Sequence, residues 1–142
     1  MVPATVADLG ESMAGQDYVL SDGLAVSLFL ALRQSRPLFL EGEAGVGKTE
    51  VAKTLAALLD RRLIRLQCYE GLDISAAAYE WNYARQMMQI QSARQGQLSS
   101  TDLFTAENLI ERPLLEALRD DKKGAPILLI DELDRADEAF EA

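Results

Sequence analysis

"PLFLEGEAGVGKTEVAKTLA", residues 37–56, decides the fold of this chain. Leu38 to Leu40 form a short apolar run without polar alternation, the pattern of a strand covered on both faces, as in a parallel sheet flanked by helices. A glycine-rich turn follows. Beyond it Val51, Ala52, Leu55, Leu58 and Leu59 recur at helical spacing, predicting a helix that ends near Asp60.

The turn itself, Gly42, Glu43, Ala44, Gly45, Val46, Gly47, Lys48 and Thr49, matches G-x-x-x-x-G-K-[ST]. Its chemistry depends on backbone amides pointing inward at phosphate oxygens. Glycine permits the backbone angles and the close approach this needs. A helix opening at Lys48 adds N–H groups with no intrahelical acceptor and a partial positive charge. From there Lys48 would reach the β- and γ-phosphates of a nucleotide, and the Thr49 hydroxyl would ligate Mg²⁺. A fortuitous glycine-rich βα turn is the plainer alternative, and the apolar run ahead and the helical pattern behind both count against it. Glu50, directly after the motif, is grouped with the nucleotide-binding residues.

Outward from this centre, "RLIRLQCY" alternates, placing Ile64, Leu66 and Cys68 on one face and Arg65 and Gln67 on the other, which suits an edge strand. Strand, helix, strand is a βαβ unit, and a parallel sheet follows from it. Upstream, a helix is predicted from Ser21 or Asp22 until Pro37 ends it, apolar on most sides and therefore buried. Residues 1–20 read as an N-terminal arm. Between Gly71 and Arg119 the pattern is helical, with Tyr79, Tyr83, Met87 and Ile90 read as a core-packing stripe and Pro113 restarting a helix. "QSARQGQLSST" reads as a polar loop and "KKGAP" as a turn.

The final apolar run, "ILLI", flips at Asp131 into acids. Ligands of parallel α/β sheets bind at the carboxyl ends of the strands. Asp131 would emerge there to help hold Mg²⁺, with Glu132 next to it as the general base that orients and polarises an attacking water. Acids also favour a helix N-terminus, which alone would account for the pair; the glycine loop and buried strand favour the chemical reading. Asp134, Asp137, Glu138 and Glu141 read as a solvated acidic face, and Arg135 as a subunit-contact candidate.

Composition narrows the chemistry further. The 142 residues suffice for one domain, and 49% hydrophobic with 26% charged residues is globular. No histidine is present, which removes histidine bases, histidine-dependent nucleophiles and histidine metal ligands together. A net charge of −9 disfavours nucleic acid and anionic lipid. The lone Cys68 reads as a buried, inert thiol. The longest apolar stretch, Leu24 to Leu32, falls short of the roughly 20 residues that span a bilayer, and no export signal is visible. A cytoplasmic location fits these features.

"RPLFLEGEAGVGKTEVAKTLA", "QCYEGLDISAAAYEWNYARQMMQIQ", "ERPLLEAL" and "LLIDELDRADEAFEA" together resemble the MoxR branch of AAA+ ATPases, and within it the CoxD-like proteins, from about Tyr18 onward. The resemblance implies an α/β P-loop NTPase fold, a parallel sheet with flanking helices. It implies ATP and Mg²⁺ as cofactors, residues 42–49 as the Walker A loop, Asp131 as the magnesium acid and Glu132 as the water activator. Tyr18 and Val19 stand where such proteins cradle adenine. It also implies a homo-oligomeric ring, usually a hexamer, that hydrolyses ATP to remodel a client protein during metal-cofactor insertion. In that family a sensor strand, an arginine finger and a helical lid follow the Walker B acids, and here ten residues follow Glu132. Residues 21–142 are accordingly expected to be a partial AAA+ domain, incomplete at the C-terminus, without the middle of its sheet and inactive as an isolated ATPase. Two other readings stay open: a nucleotide-binding interaction module without turnover, and a small-molecule P-loop kinase.

Overall fold

Thr5 starts the first helix. Its hydroxyl accepts the Asp8 N–H at 3.1 Å while the Asp8 carboxylate accepts the Thr5 N–H at 3.0 Å, a reciprocal cap that satisfies two amides at once. Helix α1 (Val6–Ala14) thus forms inside what the sequence reads as an arm. The computed structural model describes residues 2–43, 47–93, 100–119 and 121–141. In chain order the further elements are α2 (Asp22–Gln34), α3 (Lys48–Leu58), β1 (Leu63–Gln67), α4 (Ile74–Ala78), β2 (Tyr79–Trp81) and α5 (Tyr83–Ser92). Then come α6 (Ser100–Leu103), β3 (Leu109–Glu111), α7 (Pro113–Ala117), β4 (Ile127–Asp131) and α8 (Glu138–Glu141).

The chain divides into two compact units, Met1–Ile64 with Asp120–Leu129, and Arg65–Arg119 with Ile130–Ala142. In the first, α1 packs on α2 and α3, and Leu9, Met13, Leu28, Val51, Leu55 and Leu59 form the core. Ser21 caps α2 as predicted, accepting the Leu24 N–H. That helix stops at Gln34 because Ser35 turns left-handed, φ 52°. Its burial is narrower than expected: Ala25 and Leu28 are buried while Val26 and Leu30 are exposed.

Strands β1 and β4 pair. In the first unit Ile127 N–H donates to Arg62 O (2.8 Å), and in the second Cys68 N–H donates to Asp131 O (2.9 Å). Both strands ascend together along these bonds, so the pair is parallel, as the expected parallel sheet requires, although the predicted βαβ unit lacks its first strand. Ile64, Leu66 and Cys68 are buried and Arg65 is exposed, as the alternation requires.

Residues 37–41 carry no strand assignment, contrary to expectation. Leu38 and Leu40 do pack against the core, but Phe39 between them is 68% exposed. An apolar run secures burial; only a hydrogen-bonded neighbour makes a strand, and none lies beside this segment among the described residues.

The second unit departs further from the helical reading of residues 71–119. Strands β2 and β3 form an antiparallel pair with Tyr79 opposite Glu111 and Trp81 opposite Leu109. Helix α5 has the predicted period, yet Tyr83, Met87 and Ile90 are exposed, and the buried residue on α5 is Gln86. Tyr79 belongs to β2, where it meets Trp81 edge-on at 5.9 Å; Trp81 in turn meets Phe104 at 5.0 Å. Pro113 opens α7 as expected. Most of the predicted polar loop lies outside the described residues.

The "KKGAP" turn is held by ions. Asp121 accepts the Lys123 N–H (3.0 Å) and the Arg62 Nε–H (2.6 Å), which hold its carboxyl below the ordinary aspartate range, while the Asp60 carboxylate, 2.8 Å from Lys123 Nζ, raises that amine.

Two outcomes follow. Leu9→Ala, which removes a fully buried side chain from the α1 contact, is expected to destabilise the chain by about 2–5 kcal/mol in urea unfolding; a cost near zero would mean α1 does not contribute to the core. For Asp121, the folded carboxyl ionises at lower pH than the unfolded one. Its stabilisation is therefore complete above the unfolded value of about 4 and fades as pH falls through the lower folded value. The stability difference between wild type and Asp121→Asn should shrink on acidification, and a difference that stays constant would count against the Arg62 and Lys123 contacts.

Candidate functional site

The first unit holds the phosphate-loop residues. Gly47 caps α3 with φ 86° and ψ 16°, a left-handed conformation that costs a residue with a Cβ energy and glycine little. Its carbonyl accepts the Glu50 N–H at 3.0 Å and the Val51 N–H at 3.2 Å. This reversal places Lys48 at the first position of the helix and Thr49 in its first turn. Lys48 curls back over the loop, its Nζ donating to the carbonyl of Gly42 and, at 2.7 Å, to that of Glu43. The two ends of the loop are thereby bridged, with the ammonium charge between them. Ala44, Gly45 and Val46 lie outside the described residues.

Glu50 turns along the surface of α3 to Lys53 Nζ (2.9 Å), an exposed pair of small energetic weight. Tyr18 lies against Gly47, its hydroxyl 3.4 Å from the Gly47 carbonyl. Its neighbour Val19 is 85% exposed and lines an open apolar hollow of about 370 Å³ with Val6, Gly10, Ala25 and Val26, between α1 and α2. These two adjacent residues therefore address different parts of the unit.

The second unit holds the acids. Asp131 is the last residue of β4. Its Oδ1 accepts the Glu132 N–H at 3.1 Å, and its Oδ2 lies 2.7 Å from the Arg65 guanidinium. Sequence reading missed Arg65: it sits on the wet face of an alternating strand, where an arginine is unremarkable. The available signal was the parallel pairing of its strand with the one bearing Asp131.

Glu132 has φ 55° and ψ 44°. A left-handed non-glycine residue is held at a cost, and such residues concentrate at functional positions. Its carboxylate lies 2.8 Å from Arg135 Nε, so Arg135, read from sequence as a subunit-contact candidate, has an internal partner. Asp134, Asp137 and Glu138 are exposed, in keeping with a solvated face.

The Thr49 hydroxyl and Asp131 carboxylate are hard oxygen donors of the kind Mg²⁺ takes. Among the described residues no group of three or more His, Cys, Asp or Glu side chains forms a metal cage.

A glycine loop opening a helix, a parallel strand pair and acids at the carboxyl end of its apolar strand define the nucleotide-binding α/β class. More specifically, residues 37–140 match the model of the AAA domain, dynein-related subfamily, and the chain belongs to this AAA+ ATPase family. The match runs through both the glycine loop and the acidic pair, and domains of this family bind ATP, generally with Mg²⁺. No curated protein and no solved structure matches the chain.

The strained backbone gives a direct test. Glu132→Gly relieves the left-handed cost and is expected to hold or raise stability, by up to about 1 kcal/mol, in thermal or urea unfolding. A marked loss of stability would make Glu132 a structural residue instead.

Proposed function

We propose that this chain binds MgATP at the loop Gly42–Thr49 and hydrolyses it as a MoxR-type AAA+ subunit. The observation that carries the reading is the junction at Gly47, which delivers the first turn of a helix and the Lys48 ammonium to one glycine loop in a chain of the AAA family.

In this reading the loop amides receive the phosphate oxygens, and Lys48 leaves the carbonyls of Gly42 and Glu43 to meet the β- and γ-phosphates. Thr49 and Asp131 would hold Mg²⁺, which would supply positive charge to neutralise the phosphates. Glu132 orients a water molecule and takes its proton on a carboxylate oxygen. Glu50 supports the first turn of α3, and Val19 offers apolar surface to the base. Resemblance to the CoxD-like proteins supports the wider role, a cytoplasmic homo-oligomeric ring, usually hexameric, that remodels a client protein during maturation of a metal-cofactor enzyme. The net charge of −9 argues against a nucleic-acid partner. Among the described residues no helix is long and apolar enough to cross a membrane.

A second reading, nucleotide binding without turnover, is favoured by one contact: Arg135 Nε lies 2.8 Å from Oε2 of the Glu132 carboxylate that would have to accept the proton.

Lys48→Ala is expected to abolish MgATP binding in calorimetry while the chain still unfolds cooperatively; retained affinity would refute the loop assignment. Steady-state phosphate release separates the two readings. Release by the wild type that is lost in Glu132→Gln identifies an ATPase, whereas ATP binding without release identifies the binding module.

A further inference from the structure

We infer that Tyr18 is a positioning residue for the phosphate loop and not a cradle for the nucleotide base. The inference rests on the reading of residues 42–49 as a phosphate site, and it assigns Tyr18 a role distinct from that of Val19.

The geometry begins at the end of α1. The Gln16 and Tyr18 N–H groups both donate to Met13 O, at 2.9 and 3.0 Å, and Asp17 between them is left-handed with φ 61°. This turn fixes the direction in which Tyr18 leaves the helix. Tyr18 then packs against the core that includes Leu9, Met13 and Val51, so its ring is supported from behind. In front of it lies Gly47. The ring atom Cε2 and the hydroxyl each stand 3.5 Å from where a Cβ on Gly47 would be. The ring thus fills the space beside the one residue whose left-handed backbone turns the loop into α3.

The packing matters more than the hydroxyl. At 3.4 Å the bond from Tyr18 Oη to Gly47 O is long, and that carbonyl already accepts the Glu50 and Val51 N–H groups. A flat, core-supported ring on one side and the first turn of α3 on the other leave the Gly47 hinge little room to rotate. The consequence is that the amides of Lys48 and Thr49, the first of α3, are oriented before any ligand arrives, which raises affinity by reducing the ordering that binding would otherwise require. A residue with this role acts on phosphate, whatever base is attached to it.

That distinction sets the experiment. Calorimetry on the full 142-residue chain compares MgATP with inorganic tripolyphosphate, a ligand with no base. Tyr18→Leu and Tyr18→Met, which keep apolar volume without a flat ring, are expected to weaken both ligands in parallel, by about tenfold. Tyr18→Phe should stay close to wild type for both. Loss of ATP affinity with tripolyphosphate unchanged would overturn the inference and return Tyr18 to the base, and unchanged affinity for both ligands would overturn it equally. A Phe variant as weak as the Leu variant would assign the effect to the hydroxyl and overturn the packing argument.

Amide hydrogen exchange supplies a readout without ligand. Tyr18→Leu should speed exchange at Glu50 and Val51, whose N–H groups bond Gly47 O, and leave Leu59, at the far end of α3, unchanged. Acceleration spread equally to Leu59 would mark general destabilisation and refute the positioning role. A wild type that binds neither ligand would refute the phosphate-site reading itself, an outcome distinct from all of these.

Discussion

An α-helix can begin only where the chain turns into it and leaves its first amides without partners of their own. In this protein the turn falls on Gly47, and much of the first unit serves to hold it there. Val51 and Leu55 anchor α3 in the core, Lys48 ties the two ends of the loop together, and Tyr18 closes the side of the glycine. The left-handed angle at Gly47 disfavours residues with a Cβ and costs glycine little. Burial at one end of α3 and backbone geometry at the other thus converge on a single peptide unit.

The elements legible in the sequence are those whose cause is local. Ser21 caps α2, Pro113 opens α7, and the alternation of Ile64, Leu66 and Cys68 selects the buried face of β1. Helix α1 carries a weaker local signal: Thr5 and Asp8 have the spacing of a capping box, but with Asp where the motif has Glu or Gln. The pair β2 and β3 was not legible, because each strand has three residues and their register joins Tyr79 to Glu111 across a long intervening segment. At Leu38 to Leu40 the apolar signal reported burial correctly and pairing incorrectly. For the candidate site, the loop and the acids were visible as motifs, whereas Arg65 depends on which strand lies beside β4, and no pattern within five residues carries that.

Helix α5 shows why period and face are separate questions. Tyr83, Met87 and Ile90 lie at helical spacing and do form a helix, yet they face solvent. The inward contacts are polar. The carbonyl of Leu103 accepts from both Gln86 Nε2 (2.7 Å) and Asn108 Nδ2 (2.9 Å), and Asn108 also donates to Gln89 (2.7 Å). Asn108 is fully buried and, among the described residues, its Oδ1 has no hydrogen-bond partner; an unsatisfied buried carbonyl costs about 1–3 kcal/mol relative to a satisfied one. Hydrophobic periodicity cannot anticipate a helix seated by amides.

The contact between Arg65 and Asp131 has a further electrostatic meaning. Because a guanidinium already stands 2.7 Å from Oδ2, the aspartate at the end of β4 is charge-compensated by the protein's own strand. A cation that takes Oδ2 must displace the guanidinium from that oxygen. Arg65 stays tethered to its strand, so positive charge beside the acids rises as the cation enters, and the guanidinium is left facing whatever anion accompanies it.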